Sequence, residues 1–186
     1  MELIGHNGGP SVAEGESWRR HCWAKARADL LPTLPIEVLR TRVRRAKDLG
    51  LEYRTYASVR AATGHDVVAF LFSSHALRVT EQRVALPVDR AEKLADLRDV
   101  ERIGLVVGRL DAGALMQANA AVLDAAFAAP GAWASFSEAG RSLRVAMGRI
   151  PRDRVVLVGD TALERDWCAA GRLAGFLTAD RYFGAV

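Results

Sequence analysis

Val67-Val68-Ala69-Phe70-Leu71-Phe72 is a continuous apolar run, and it decides the fold class. A run of this length without polar alternation is typical of a strand that is buried on both faces. Two similar runs follow at 103–107 and 155–158, and a shorter one spans 175–178. Because helical patterns separate these strands, the sequence predicts an α/β fold with a small, mainly parallel sheet covered by helices.

The intervening segments define the expected helices. We predict helices over 89–99, 137–148 and 162–174, and an alanine-rich helix over 111–129 that Pro130-Gly131 would end. Arg165 and Arg172 lie on the last predicted helix. They are expected either to form part of an anion site or to lie on a solvated face of that helix. The pattern shows no internal repeat, so one α/β domain over 65–186 is expected.

Charge is unevenly distributed along the 186 residues, whose net charge is +4. Residues 1–17 hold three acids and no base, and residues 18–60 hold eleven bases against four acids. Residues 61–186 are balanced. We therefore expect a flexible, glycine-rich tail over 1–17 and a basic helical segment over 18–64. A basic cluster suits a polyanion such as nucleic acid, and an arginine-rich solvated helix face is the alternative.

The basic segment has three predicted helices. The first covers 18–31, and the second begins near Pro35 and ends at Gly50. The third covers about 55–62 and ends at Gly64. The second helix carries its apolar side chains at helical spacing on one face, which predicts that this face is buried. Its apolar residues are Ile36, Leu39, Val43, Ala46 and Leu49.

Residues 42–61 resemble the helix-turn-helix of DNA-binding proteins. Ala46 is the small residue of the first helix, Gly50 is the turn glycine, and Val59 is the branched apolar residue of the second helix. Arg45 and Tyr56 depart from that pattern. The resemblance implies a nucleic-acid surface, whereas an ordinary helical hairpin packed on a sheet is the alternative. The residues expected to contact nucleic acid are Arg40, Arg44, Arg45, Lys47, Arg54, Ser58 and Arg60.

A second resemblance lies at the end of the third strand. Gly159-Asp160, followed by Glu164, resembles the late metal-binding motif of haloacid dehalogenase-like phosphatases. The paired catalytic aspartates of that family are missing, since Ser73-Ser74-His75 follows Phe72. The resemblance implies a ligand crevice without that phosphotransfer chemistry, formed by Ser73, His75, Asp160 and Glu164. The alternative is that Asp160 or Thr161 simply caps the next helix.

Other chemistry-bearing patterns are missing. There is no zinc-ligand spacing, phosphate-binding glycine loop or nucleophile elbow, so we expect no metal, no cofactor and no catalytic residue. The chain has two cysteines, Cys22 and Cys168, which is typical of reduced cytosolic proteins. It has no long apolar run and no secretory signal. We therefore expect a cytoplasmic chain with no membrane contact. Residues 4–10 resemble the opening of small alphaproteobacterial proteins, several of them prophage-associated, which carry no known activity.

These patterns lead to a ranked functional expectation. A nucleic-acid-associated accessory or regulatory protein, of phage or mobile-element origin, comes first, and the sequence leaves open whether it is an enzyme. The alternatives are a small-molecule or phosphate-binding α/β protein that resembles a degenerate phosphatase, and a protein–protein adaptor. Nucleic acid is therefore the expected partner, and a protein partner or a homodimer is the alternative.

Overall fold

A computed structural model describes residues 34–184. The expectations for residues 1–33, among them the tail, the helix over 18–31 and the Cys22 thiol, lie outside the described residues. The chain divides into two compact units after Leu39. Of the first unit, only residues 34–39 are described, and they open the first helix. Within 34–184, no helix has both the length and the apolar character that a membrane crossing requires.

The described residues form five strands, seven α-helices and a 3₁₀ turn at Arg152–Arg154. The strands are β1 (Ala69–Ser73), β2 (Glu101–Val106), β3 (Ala125–Ala128), β4 (Val155–Gly159) and β5 (Gly175–Thr178). The helices are α1 (Ile36–Asp48), α2 (Tyr53–Thr63), α3 (Val88–Ala95), α4 (Ala112–Asn119), α5 (Phe136–Met147), α6 (Ala162–Gly171) and α7 (Ala179–Phe183).

The five strands form one sheet in the order β3-β2-β1-β4-β5, and every pairing is parallel. The predicted α/β class is confirmed. The chain first moves from the central β1 to β2 and β3, and then crosses to β4 and β5. The order therefore reverses between β1 and β4, and ligands of open α/β sheets bind outside the carboxyl ends of the strands at such a point.

Side-chain alternation along β1 supplies two apolar cores, one on each face of the sheet. Phe70 and Phe72 face a core that includes Leu94 of α3 and Tyr182 of α7. Ala69 and Leu71 face the opposite core, against α5 and α6. All five residues of β1 are buried. This two-sided burial explains why the β1 sequence is a continuous apolar run rather than an alternating one.

The predicted helix over 111–129 is wrong in its second half. Helix α4 ends at Asn119, and the segment Ala125–Ala128 forms β3 at an edge of the sheet. Alanine has the highest helix propensity, so local preference favoured a longer helix. Pairing with β2 overrides that preference because Ala126 lies opposite Gly104, and two small residues allow close packing there.

The apolar face predicted for α1 is only partly buried. Ala46 and Leu49 are fully buried in the core that also holds Tyr56 and Val59 of α2. Val43 is 46% exposed and Ile36 is 59% exposed. Helical spacing correctly predicted the helix, but it does not show where along a helix the tertiary contacts begin.

Candidate functional site at the carboxyl edge of the sheet

The carboxyl ends of β1 and β4 bring together side chains that are far apart in the sequence. Phe72 pairs with Val158, so Ser73 and Gly159 end neighbouring strands at the same edge. His75 lies in the turn after β1, and Glu164 lies in the first turn of α6 after β4. Of the four predicted crevice residues, Ser73, His75 and Glu164 meet in this place.

Glu164 is the centre of this arrangement. Its carboxylate is buried, and Oε2 accepts hydrogen bonds from the backbone N–H groups of Asp160 at 2.6 Å and Thr161 at 2.8 Å. In return, the Thr161 hydroxyl accepts the backbone N–H of Glu164 at 3.2 Å. This reciprocal pair is a capping box, and Thr161 is the residue that caps α6. The Thr-x-x-Glu spacing could have revealed the box from the sequence.

The surroundings of Glu164 favour its ionised form. Burial by itself raises the pKa of this carboxyl group. Hydrogen bonds from the Ser73 hydroxyl, from the backbone N–H groups of Thr161 and Asp160, and from His75 outweigh burial and hold the pKa below its usual range. Glu164 is therefore a carboxylate at neutral pH, and it can only accept hydrogen bonds.

The buried carboxylate fixes the state of His75. Nδ1 of His75 lies 2.9 Å from Oε1 of Glu164. Because a carboxylate has no proton to give, Nδ1 is the donor, and the neutral ring must carry its lone pair on Nε2. The His75 side chain is 48% exposed, and Nε2 has no hydrogen-bond partner within residues 34–184. An oriented imidazole with a free nitrogen at the surface can accept or donate a proton.

A second histidine–carboxylate pair lies at the opposite edge of the same two strands. His65 precedes β1, Asp153 precedes β4, and Nε2 of His65 lies 3.4 Å from Oδ2 of Asp153. The two histidine side chains are about equally exposed, at 46% for His65 and 48% for His75. Their carboxylates differ, because Asp153 is 50% exposed and Glu164 is 1% exposed. Only the His75 pair has a buried, hydrogen-bonded anchor.

Asp160 has a different role from the one predicted with Glu164. Its Oδ1 accepts the backbone N–H of Ala179 at 3.3 Å, while both oxygens of Glu164 are occupied by protein donors. The two carboxylates therefore do not form the metal-binding pair of the phosphatase motif that Gly159-Asp160 and Glu164 resemble. Within residues 34–184, no group of three or more His, Cys, Asp or Glu side chains is placed to hold a metal.

Gly159 permits the close approach of β4 to Glu164. A Cβ atom at position 159 would lie 2.8 Å from Oε2 of Glu164 and 3.0 Å from the ring of Phe176. Side-chain atoms do not pack that closely, so a larger residue would displace the carboxylate. The Gly-Asp pair seen in the sequence thus has a steric explanation, in which glycine makes room for the buried anchor of His75.

The serine hydroxyls at this edge are used inside the protein. Ser73 is buried, accepts the backbone N–H of Ala76 at 3.1 Å and also bonds to Glu164. The Ser74 hydroxyl is buried and accepts the backbone N–H of Val107 at 3.1 Å. Neither hydroxyl is placed to be activated by Nε2 of His75. Within residues 34–184, the site therefore presents an acid/base group with neither serine hydroxyl placed beside it as a nucleophile.

Arg45 is a structural residue rather than a surface cation. Its guanidinium donates to Oδ2 of Asp66 at 2.8 Å and to the backbone oxygen of Val67 at 2.9 Å. It also donates to the backbone oxygens of Arg98 and Asp99, each at 3.0 Å. The side chain is 16% exposed. Four internal hydrogen bonds leave this guanidinium little capacity for a phosphate, which corrects the expectation for this one residue.

The remaining predicted nucleic-acid contacts are divided between α1 and α2. Arg44 and Lys47 line a groove of about 840 Å³ with six other charged side chains. Four carboxylates balance the four cationic side chains of that groove, so it carries no net positive charge that would attract a polyanion. The other charged residues are Lys93, Arg98, Asp48, Asp89, Glu92 and Asp96.

The rest of the predicted set does not line that groove. On α2, Arg54 and Ser58 are exposed, while Arg60 is half-buried and lies against the Tyr56 hydroxyl. Arg40 is exposed on α1. The exposed residues of the nucleic-acid prediction are therefore found on both helices: Arg40, Arg44 and Lys47 on α1, and Arg54 and Ser58 on α2.

Comparison with protein-family models, with curated proteins and with solved structures finds no match for this chain.

Proposed function

We propose that this chain binds a small molecule at the carboxyl edge of the sheet, between β1 and β4, and that His75 exchanges a proton with it. The observation that carries the proposal is the 2.9 Å contact between Nδ1 of His75 and the buried, ionised Glu164. The contact orients the ring and leaves Nε2 toward solvent. A group that is oriented before the ligand arrives loses little entropy on binding.

The position of the pair supports a ligand site. His75 and Glu164 follow neighbouring parallel strands at the reversal of strand order, where open α/β sheets bind ligands. Burying a charged carboxylate is costly unless several donors satisfy it, as they do for Glu164. A capping box does not require a buried carboxylate, because Glu138 of α5 forms one at an exposed position. The burial of Glu164 is therefore better explained by its second contact, with His75.

His75→Gln is expected to weaken the binding of the ligand by about tenfold, since one hydrogen bond to a polar group of the ligand is lost. The ligand can be sought by NMR, with the labelled full chain and mixtures of small metabolites, among them sugar phosphates, nucleotides and carboxylic acids. Binding at the site would shift the His75 ring signals, and a titration of each hit would give its dissociation constant.

His65→Gln is the matched control, because it removes an equally exposed histidine from the other edge of the sheet. This variant should bind the ligand as the unchanged chain does. A hit whose affinity is the same in His75→Gln as in the unchanged chain would contradict the proposed role of His75, and so would hits that shift only residues remote from β1 and β4.

Nucleic-acid binding is a second candidate function, and the helical hairpin α1–α2 supports it. Gly50 adopts φ of 63°, and Ala46 and Val59 are buried, as the helix-turn-helix motif requires of these positions. Arg54 and Ser58 are exposed on the second helix. The alternative, an ordinary helical hairpin packed on a sheet, is favoured by the position of Val59 of α2 beside β5. A Cβ atom at Gly175 would lie 3.6 Å from Cγ2 of Val59.

Arg54→Ala is expected to reduce the affinity for random duplex DNA and to lower the slope of log K against log salt concentration by about one, if Arg54 contacts a phosphate. Fluorescence anisotropy at several salt concentrations measures both quantities. Arg149→Ala, which removes the same charge from an exposed position before β4, should leave the slope unchanged. Binding that is insensitive to salt, or equally reduced by both substitutions, would exclude α2 as the contact surface.

A further inference from the structure

A cationic recess lies outside the carboxyl end of β5, next to the proposed site. It has a volume of about 410 Å³ and is lined by Arg165, Phe176, Thr178 and Arg181. Arg165 follows Glu164 directly in α6, and Arg181 belongs to α7. Two guanidinium groups from different helices therefore face one space, and among the described residues that line it there is no carboxylate.

Both arginines are held by neighbours that leave donors available. One Nη of Arg181 donates to the Thr55 hydroxyl of α2 at 3.0 Å, which uses one of its five N–H groups. The guanidinium of Arg165 lies over the ring of Phe176, 5.1 Å from its centre. Stacking on a ring face leaves the N–H groups at the guanidinium edge free to point elsewhere. Both groups are thus positioned before any ligand arrives.

The acids that adjoin the two arginines in the chain, Glu164, Asp166 and Asp180, do not line the recess. Asp180 lies 3.8 Å from a guanidinium nitrogen of Arg78, and Asp160 accepts the N–H of Ala179. The recess thus has two positive charges in its lining and no acid among them. Such a site favours a ligand group with two negative charges over a group with one. A phosphate monoester carries about −1.5 to −2 at neutral pH, and its oxygens match guanidinium geometry.

We infer that Arg165 and Arg181 form a phosphate subsite, and that the ligand of the His75 site is a small phosphate monoester. The phosphate lies in the recess at the end of β5, and the rest of the molecule extends toward β4 and β1. The assignment of the ligand class rests on the proposed function of His75. The subsite itself depends only on the two arginines and can be tested without the complete ligand.

The test is a titration of the ¹⁵N-labelled full chain with inorganic phosphate at constant ionic strength, followed by NMR. Saturable shifts are expected at the guanidinium Nε–H signals of Arg165 and Arg181. Arg165→Gln and Arg181→Gln should each raise the dissociation constant by about tenfold, because each removes a charge-assisted contact. Acetate, which has a single charge, should bind more weakly than phosphate.

Two control variants separate the charge from the local structure. Thr55→Val removes the partner that positions Arg181 and keeps its charge, so phosphate should still bind, with an affinity between that of the unchanged chain and that of Arg181→Gln. Arg149→Gln removes a charge at the opposite edge of the sheet and should have no effect. Circular dichroism confirms that each variant folds. Shifts that do not saturate, or dissociation constants unchanged in both arginine variants, would overturn the subsite, and acetate binding as tight as phosphate would overturn the assignment of phosphate.

A failure of the phosphate subsite can be distinguished from a failure of the proposed role of His75. If phosphate binds at the arginines but phosphate monoesters never shift the His75 signals, the subsite stands and the role of His75 fails. If small molecules bind at His75 while phosphate does not bind at the arginines, the site stands and the ligand class is wrong. His75→Gln is expected to leave the affinity for inorganic phosphate unchanged.

Discussion

Glu164→Ala is expected to lower the free energy of unfolding by about 3 kcal/mol at neutral pH, since it leaves several buried donors without an acceptor. Those donors are the backbone N–H groups of Asp160 and Thr161, the Ser73 hydroxyl and Nδ1 of His75. Urea denaturation measures the change. Glu164→Gln, which keeps one acceptor oxygen, should lose about half as much.

The loss of unfolding free energy in the Glu164 variants should depend on pH in a defined direction. The folded protein holds the pKa of Glu164 below its usual range, so the ionised carboxylate stabilises the fold above the ordinary glutamate pKa. That contribution decreases as the pH falls from the ordinary glutamate pKa through the folded pKa, because in this range the unfolded state binds a proton that the folded state does not. The stability difference between the unchanged chain and Glu164→Gln should therefore be largest near neutral pH and shrink in acid.

Glu138→Ala is the matched control for this substitution. Glu138 forms the same capping box with Ser135 at the start of α5, but its carboxylate is exposed to solvent. Its removal costs a helix cap without orphaning buried donors, so the loss of stability should be clearly smaller. Equal losses at Glu138 and Glu164 would show that Glu164 acts only as a cap, and that its contact with His75 adds nothing to stability.

Arg45→Ala is expected to destabilise the protein by about 3 kcal/mol, because it removes four hydrogen bonds from one guanidinium. Those bonds connect α1 to the residues that enter β1 and to the turn before β2. Arg45→Lys should recover only part of the loss, since an ammonium group cannot reproduce the planar fork. Thermal and urea denaturation measure both variants.

Arg44→Ala is the control, one residue earlier on the same helix. Arg44 is exposed, and its removal should change stability by no more than about 0.5 kcal/mol. The comparison matters for the nucleic-acid hypothesis, because a lower DNA affinity in a variant that includes Arg45→Ala would reflect its lower stability as well as any lost phosphate contact. If Arg45→Ala is as stable as Arg44→Ala, the internal bonds of Arg45 contribute little, and this residue becomes available again as a phosphate contact.

The sequence predicted the parts of the site that follow from local position. Ser73 and His75 follow one apolar strand and Asp160 follows another, so the parallel fold predicted that they share an edge. The contact of His75 with Glu164 spans 89 positions, and no local pattern encodes it. The sequence pattern groups Arg165 with Arg172 as part of an anion site. In the structure, however, Arg172 caps the far end of α6. Its partner in the recess is Arg181 of α7, a helix that the sequence analysis did not predict.

By itself, the sequence determined the fold class. A strand that is buried on both faces requires a continuous apolar run, and such a run can be recognised without knowing which strands it pairs with. It also determined the stops at Gly50 and Gly64, which adopt positive φ. Only the tertiary structure decided that Ala125–Ala128 is a strand, that Arg45 is an internal donor and that Glu164 anchors His75. Each of these depends on a partner distant in the chain, and local propensity contains no information about such partners.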